Sequence, residues 1–211
     1  MPAEVTEPAA LRLAGISCSV PGRPGMLADL DLRVDVGQRV AIVGPSGSGK
    51  STLLGIAGLL RVPDHGVVEI GGRVVDSEIG RAAERAERVA WVLQSTVAFP
   101  DRSLAENVEL ALSPQVGCGS LGGRTGRRAA ALDSLATVGL ADRADTRARH
   151  VSGGELQRLG VARALVRRPA VVLADEPTAS LDRSNADLVI EVLLRGLGPR
   201  GALVPPRRRS P

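Results

Sequence analysis

The chain has 211 residues, of which 44% are hydrophobic and 24% charged, a balance typical of a globular domain and not of a disordered segment. The net charge is +4, but Arg207, Arg208 and Arg209 supply three of these charges. The rest of the chain is therefore nearly neutral and does not indicate a nucleic-acid-binding protein.

Cys18 and Cys118 show neither metal-ligand spacing nor a CxxC pattern, which disfavours a zinc site and suits a reducing compartment. No apolar run approaches the ~18 residues that span a bilayer and no signal peptide is indicated, so we expect a cytosolic chain.

In the first half of the chain, strand patterns flank one helix pattern. We predict paired short strands with a turn in 11–34, a buried strand at 39–44, a helix at 50–60, a hairpin at 67–75 and a buried strand at 88–93. The hairpin is centred on Gly71-Gly72, a dipeptide suited to a tight turn. The helix places Leu53, Leu54 and Ala57 on one face, and Leu60 extends that face.

The second half is dominated by helix patterns. We predict helices at 104–111 and 126–138 separated by a Gly/Ser-rich loop at 117–126, a helix at 153–168 stopped by Pro169, a buried strand at 170–176 and a helix at 183–195. Alternation of strands and helices favours a parallel α/β sheet, here interrupted by a helical insertion.

The stretch GPSGSGKST, residues 44–52, follows a predicted strand and opens a predicted helix. It matches the phosphate-binding pattern G-x-x-x-x-G-K-[ST] in the required context. Glycines allow backbone N–H groups to surround a phosphate, and the helix N-terminus adds partial positive charge. Lys50 would reach the β- and γ-phosphates, and Ser51 would bind Mg²⁺. The predicted contacts are Gly44, Pro45, Ser46, Gly47, Ser48, Gly49, Lys50, Ser51 and Thr52.

Lys50 is the only lysine among 27 lysine and arginine residues. A phosphate-binding loop needs a compact charge on a flexible stem, whereas a planar guanidinium is wider and does not fit the same space. The position of this single lysine therefore supports the phosphate-loop interpretation.

The strand VVLADE ends in Asp175 and Glu176. A carboxylate at the end of a buried strand can hold Mg²⁺ beside the phosphate loop, and the adjacent Glu176 can orient or deprotonate an attacking water. The alternative is an ordinary strand followed by an acidic turn, which the nearby phosphate loop disfavours.

In VSGGELQR, residues 151–158, a serine and two glycines precede a strong helix. Ser152, Gly153 and Gly154 predict a second anion-binding helix N-terminus, with a simple helix cap at Ser152 as the alternative. One nucleotide does not need two phosphate cradles. Two cradles make sense if each nucleotide is clamped between two copies of the chain.

With these segments in this order, residues 11–204 resemble the nucleotide-binding subunit of an ATP-binding cassette (ABC) transporter. GPSGSGKST is similar to the family's Walker A loop and VVLADEP to its Walker B strand. VSGGE resembles the signature LSGGQ, with Val151 and Glu155 as departures. SLD, at 180–182, resembles the D-loop, and Gln94 stands where the Q-loop glutamine would be. GPSGSGKSTLL, ENVELAL and LADEPTASLD are most similar to the lipoprotein-release and macrolide-export branch.

The resemblance implies an α/β fold: a P-loop NTPase core with a mainly parallel sheet, an N-terminal antiparallel β subdomain and an inserted helical subdomain. It implies one domain over 11–204, with core segments at 11–100 and 156–204, the insertion at about 101–155 and a Pro/Arg tail at 205–211. ATP and Mg²⁺ are the implied cofactors. The implied catalytic residues are Glu176, Lys50 and Gln94; the metal ligands are Ser51, Gln94 and Asp175; Ser152, Gly153, Gly154 and Asp182 add nucleotide contacts.

The resemblance also implies the partners. We expect a homodimer, or a pair with another ATP-binding subunit, that drives transmembrane permease subunits from the inner face of the cell membrane. Gln94 would touch Mg²⁺ or its water and sense the membrane partner. Neither direct membrane insertion nor nucleic-acid binding is expected.

Two further features of the sequence depart from the family's pattern. Where relatives stack adenine on an aromatic residue, this chain has Val20. Stacking on a base contributes about 1–3 kcal/mol in nucleic-acid-binding proteins, so we predict weaker ATP affinity than in relatives that carry the aromatic.

The second departure follows the start of a strand at 201–204, where the sequence becomes PPRRRSP in place of a strand ending in His-Asp. Prolines do not continue a central strand, and His65 and His150 lie too far upstream to replace that histidine. We therefore expect a truncated chain, and a frameshift near codon 204 is the hypothesis for its origin. Its sheet would have an exposed edge, and it would bind ATP with slow or absent turnover.

Three other interpretations stay open. A hydrolysis-impaired ATP-binding relic or regulator is supported by residues 201–211. A DNA-associated ABC ATPase is disfavoured because Lys50 and Ser152 are too close for a long coiled coil and cysteine clusters are absent. A simple GTPase is disfavoured because no N-K-x-D element is present.

Overall fold

The structure, a computed structural model, describes residues 9–75, 78–112, 123–179, 181–197 and 201–204. Most of the predicted Gly/Ser-rich loop, the Pro/Arg tail and the serine of SLD lie outside the described residues.

Eight strands and six α-helices make up the described fold, with two short 3-10 turns at Ala141–Arg143 and Ala148–His150. The strands are β1 (Leu11–Val20), β2 (Arg23–Val34), β3 (Arg39–Ala41), β4 (His65–Ile70), β5 (Arg73–Val74), β6 (Val89–Val92), β7 (Val171–Ala174) and β8 (Gly201–Val204). The helices are α1 (Lys50–Ala57), α2 (Glu78–Arg88), α3 (Leu104–Ala111), α4 (Gly123–Thr137), α5 (Gly153–Leu165) and α6 (Arg183–Leu197).

The N-terminal strands form an antiparallel sheet of order β2-β1-β4-β5, as expected. β1 and β2 are longer than the predicted short strands and are joined at Pro21-Gly22. The predicted hairpin is confirmed as β4–β5, and both Gly71 and Gly72 have positive φ, as its tight turn requires. The long β1–β2 ribbon carries its turn towards the phosphate loop.

The second sheet has the order β3-β8-β7-β6, and every neighbouring pair is parallel. All four residues of β7 are buried, as the continuous apolar pattern predicted. β3 ends at Ala41, three residues before the predicted end, because the chain leaves the sheet to enter the phosphate loop. The carboxyl ends of these parallel strands meet at one edge, the usual place for a binding site in α/β proteins.

Helix α1 ends earlier than predicted. It stops at Ala57, where Gly58 is the C-cap, and Leu60 is 61% exposed instead of extending the buried face. The expectation for Leu60 is therefore wrong. A Cβ at residue 58 would overlap the ring of Trp91, so only glycine fits where the helix meets β6.

Helix α2 was not predicted, because its apolar face is made mostly of alanines and is outnumbered by charged residues. Arginines attach it to the end of α1: Arg81 donates to the Arg61 carbonyl at 2.7 Å and Arg85 to the Leu59 carbonyl at 2.8 Å. Within the described part of the chain, no helix is both long and apolar enough to cross a bilayer.

Among the described residues, the buried hydrophobic side chains form two clusters. One lies between α1, the antiparallel sheet and one side of β7. The other joins α3 and α4 to α5, α6 and the sheet, with Leu104, Leu135 and Leu159 all fully buried. The helices of the predicted insertion therefore share a hydrophobic core with α5, the helix that follows VSGGE.

We expect Leu135→Ala to lower the free energy of unfolding by about 2–5 kcal/mol, because it leaves a cavity in the second cluster. Leu132→Ala is the matched control, since Leu132 lies on the same helix and is 38% exposed. Urea denaturation measures both variants. Equal losses would contradict the assignment of Leu135 to the core.

Candidate functional site

A cavity of about 600 Å³ opens at the edge where the parallel strands end. The phosphate loop and the start of α1 form one wall of the cavity, and the β1–β2 turn forms another. Asp175 and Glu176 also line the cavity. The described lining residues are Val20, Pro21, Gly22, Arg23, Met26, Gly44, Ser46, Gly47, Gly49, Lys50, Ser51, Thr52, Asp175 and Glu176.

The loop depends on two of its glycines. Gly49, the residue before α1, has φ +90°, and a Cβ there would lie 3.1 Å from Leu27. A Cβ at Gly44 would lie 2.7 Å from the Ser48 hydroxyl. Side chains at these positions would be strained or would displace neighbours, so the tight loop requires the glycines of the motif.

Lys50 is the first residue of α1, and its ammonium group is held over the loop. Its Nζ donates to the carbonyl oxygens of Gly44 and Pro45, each at 2.8 Å. Ser51 and Thr52 follow in the first turn and line the same cavity. The loop therefore presents a cation, hydroxyls and a helix N-terminus together, which is the chemistry that binds phosphate.

Asp175 and Glu176 follow β7 directly. The Asp175 N–H donates to the Val92 carbonyl at 3.0 Å, which ties it to the end of β6. Burial and the negative charge of Glu176 raise the pKa of Asp175, and the positive charge of Lys50 acts in the opposite direction. A cation beside these carboxylates would relieve their repulsion.

Glu176 has φ +45°, in the left-handed region that residues with side chains rarely adopt. Such backbone strain persists only where the surrounding structure enforces it, and it is concentrated at functional sites. Here it coincides with the turn that brings Glu176 to the cavity wall.

The residues present fit a nucleoside triphosphate with Mg²⁺. The glycine-dependent loop and Lys50 suit phosphates, while the Ser51 hydroxyl and the Asp175 carboxylate are hard oxygen ligands in the same cavity. Val20 lines the mouth of the cavity, and none of the described lining residues is aromatic.

Gln94 is not brought to this cavity. It lies two residues beyond the end of β6, on the side where Asp175 follows β7, but its side chain is exposed and is not among the described lining residues.

The VSGGE segment also lies outside the cavity lining. Ser152 caps α5 in a capping box, in which its hydroxyl accepts from the Glu155 N–H and the Glu155 carboxylate accepts from the Ser152 N–H. The hydrogen bond from the Ser152 backbone lowers the pKa of Glu155, with burial opposing. The helix-cap alternative therefore describes Ser152 here, although Ser152 and Gly153 remain exposed.

Gly154 has a different role from Gly153. It is buried, and a Cβ there would lie 2.5 Å from Asn185 Oδ1 on α6. Asp182 precedes α6 and accepts from the Asn185 backbone at 2.9 Å, and hydrogen bonds from Asn185 and Ser184 lower its pKa to about 2. The second glycine of the motif therefore permits α6 and its first turn to pack against α5.

Sequence reasoning missed Arg23 and Asn185. Arg23 lines the cavity, and its guanidinium donates to the Gly47 carbonyl at 2.8 Å. No local pattern marks either residue, because each reaches the site through pairing or packing of distant segments.

A glycine-dependent loop between strand and helix, with carboxylates at the end of a nearby parallel strand, defines a P-loop nucleotide-hydrolysing protein. Residues 27–179 match the family model described as "ABC transporter", and the chain belongs to that family. It is an ATP-binding, ATP-hydrolysing subunit of this family.

Curated relatives carry a more specific name. "Lipoprotein-releasing system ATP-binding protein LolD 1" of Caulobacter vibrioides is 45% identical over 170 residues, 80% of this chain and 71% of that protein. The protein of the same name from Rhodospirillum rubrum is 44% identical over 191 residues, 88% of this chain and 82% of that protein.

Solved structures agree with the fold. The dimeric post-hydrolysis state of the ATP-binding cassette MJ0796, bound to ADP and Pi, has a TM-score of 0.76 and 30% identity over 93% of this chain and 88% of that one. A second dimeric structure of the same cassette has a TM-score of 0.76 and 31% identity over 92% of this chain and 86% of that one. The predicted α/β fold and family resemblance are confirmed.

We expect Lys50→Arg to bind ATP at least about tenfold more weakly although the charge is kept, because two loop carbonyls enclose the ammonium group. Calorimetric titration with ATP measures the change. Arg39→Lys is the charge-matched control on β3, outside the cavity lining. ATP affinity unchanged in Lys50→Arg would contradict the steric argument.

We expect Val20→Tyr to tighten ATP binding by about tenfold, because it supplies a ring for the base at the mouth of the cavity. Val20→Leu adds apolar volume without an aromatic face and is the control. If the tyrosine variant has the dissociation constant of the unmodified chain, the base does not lie against residue 20.

Proposed function

We propose that two copies of this subunit pair head to tail, enclose two Mg·ATP at their interface and drive a separate transmembrane partner. One observation carries the proposal. One cavity is lined by Lys50, Ser51, Asp175 and Glu176. The start of α5 is exposed and is not among the described residues that line this cavity. Pairing with a second copy would give that second helix N-terminus a phosphate to bind.

In this proposal the residues of the site have separate roles in binding the phosphates, holding Mg²⁺ and activating water. Lys50 and the loop amides bind the β- and γ-phosphates. Ser51, Asp175 and Gln94 would hold Mg²⁺, which supplies charge neutralisation at the phosphates when it is bound. Glu176 orients the attacking water or accepts its proton, and its place at the end of β7 sets it beside the loop.

The partner's copy would contribute the exposed Ser152 and Gly153, together with Asp182. The Ser152 N–H already donates to Glu155, so the Ser152 hydroxyl proton and the Gly153 N–H would be the donors to the phosphate. Gly154 would act indirectly by keeping α5 and α6 together. In this proposal the chain is divided into a core and a helical insertion at about 101–155, and α5 joins the two.

The membrane partner would approach near Gln94. The loop that carries Gln94 exposes Leu93 (53%), Val97 (79%) and Phe99 (58%), a run of large apolar side chains that suits contact with another protein. The names of the relatives support a permease of the lipoprotein-releasing type at the inner face of the cell membrane.

We expect Glu176→Gln to keep ATP affinity and to lose nearly all turnover, because the amide cannot accept the proton of the attacking water. The variant should then accumulate as an ATP-dependent dimer, measured by light scattering after gel filtration. Adding Ser152→Arg, which places a bulky side chain at the exposed start of α5, should restore the monomer.

A dimer that forms without ATP, or that tolerates Ser152→Arg, would overturn the head-to-tail arrangement. The rate at which the unmodified chain hydrolyses ATP tests the expectation of slow turnover. Salt-sensitive DNA binding would instead favour a DNA-associated ATPase.

A further inference from the structure

Five residues after Ser152 on α5, Gln157 is 3% exposed and has no place in the nucleotide chemistry described above. Its Nε2 donates to the Leu93 carbonyl at 2.7 Å, and its Oε1 accepts from the Thr96 hydroxyl at 3.0 Å. A carbonyl can only accept, so the amide nitrogen must face Leu93 and the amide oxygen must face Thr96. One buried side chain thus contacts the chain on both sides of Gln94.

Two further contacts continue along the same face of α5. A Cβ at Gly160 would overlap the Thr96 side chain, so this glycine lets the loop lie against the helix. Arg163 donates to the Val97 carbonyl. Gln157, Gly160 and Arg163 are spaced by three residues, which places them on one side of the helix along residues 93–97.

We infer that Gln157 is a positioning residue: with Thr96, it fixes the backbone that carries Gln94 to the helix that begins at Ser152. This inference rests on the proposed function, in which Gln94 serves this chain's own nucleotide and Ser152 serves the partner's nucleotide. The buried amide then links the two nucleotide sites, so that α5 and residues 93–97 move together.

The two hydrogen bonds of Gln157, to Leu93 and to Thr96, can be removed separately. Gln157→Glu keeps an acceptor for Thr96 but loses the donor to Leu93. Thr96→Val removes the hydroxyl, and Thr96→Ser keeps it. Ser134→Ala is the matched control, because it deletes a buried hydrogen bond to the Ala162 carbonyl of the same helix without touching residues 93–97.

The first measurement is hydrogen exchange of the full chain without nucleotide. We expect Gln157→Glu and Thr96→Val to speed exchange in residues 93–98 but not in β7, and Thr96→Ser and Ser134→Ala to leave this segment unchanged. Unchanged exchange at 93–98 in both disruptive variants would overturn the inference.

The second measurement is a double-mutant cycle with Gln94→Ala. Thr96→Val should lower kcat by about tenfold at nearly constant KM for ATP, as loss of an orienting partner does at metal sites. In the Gln94→Ala background it should have no further effect, and Thr96→Ser should restore kcat. Multiplicative effects would show that Thr96 acts independently of Gln94 and would overturn the inference.

If the unmodified chain turns over too slowly, the same cycle is measured on the affinity for Mg²⁺ at saturating ATP. Thr96→Val should weaken Mg²⁺ binding by about tenfold, and it should have no further effect in the Gln94→Ala background. Failure of ATP binding by the unmodified chain would count against the proposed function. A failed cycle in a chain that binds ATP would count against the positioning role alone.

Discussion

Parallel pairing of β7 with its neighbours is the constraint on which the site depends. β7 pairs with β6 and β8, and β8 in turn pairs with β3. Because all four strands run the same way, the chain turns out of the sheet at one edge after each of them. The phosphate loop, Gln94 and the two carboxylates reach that edge from segments far apart in sequence. Removing the pairing would leave the motifs intact but separate.

Much of this arrangement could be predicted because the local patterns were strong. The loop before α1, the apolar run of β7 and the helix after VSGGE each carried a distinct signal, and each lies in the expected type of element. The alternation of strand and helix indicated a parallel sheet, and the Gly71-Gly72 turn indicated the hairpin. These features depend on backbone geometry and burial, which neighbouring residues largely determine.

The rest depends on contacts between distant segments. Helix α2 has a mostly charged sequence with a weak apolar face of alanines, and its arginines hold it against the end of α1. Gly154 suggested an anion site, but its missing side chain makes room for Asn185. The place of Arg23 depends on how far the β1–β2 ribbon extends. The role of each of these residues depends on which distant residue it contacts, and a single sequence does not show those contacts.

The contact between Gly58 and the ring of Trp91 has a practical consequence. Trp91 is the only tryptophan, and it touches the end of the helix whose first residue is Lys50. Its indole Nε1 is shielded from solvent. The chain thus carries one intrinsic fluorophore within a helix length of the phosphate loop, and tryptophan emission reports on α1 without any added label.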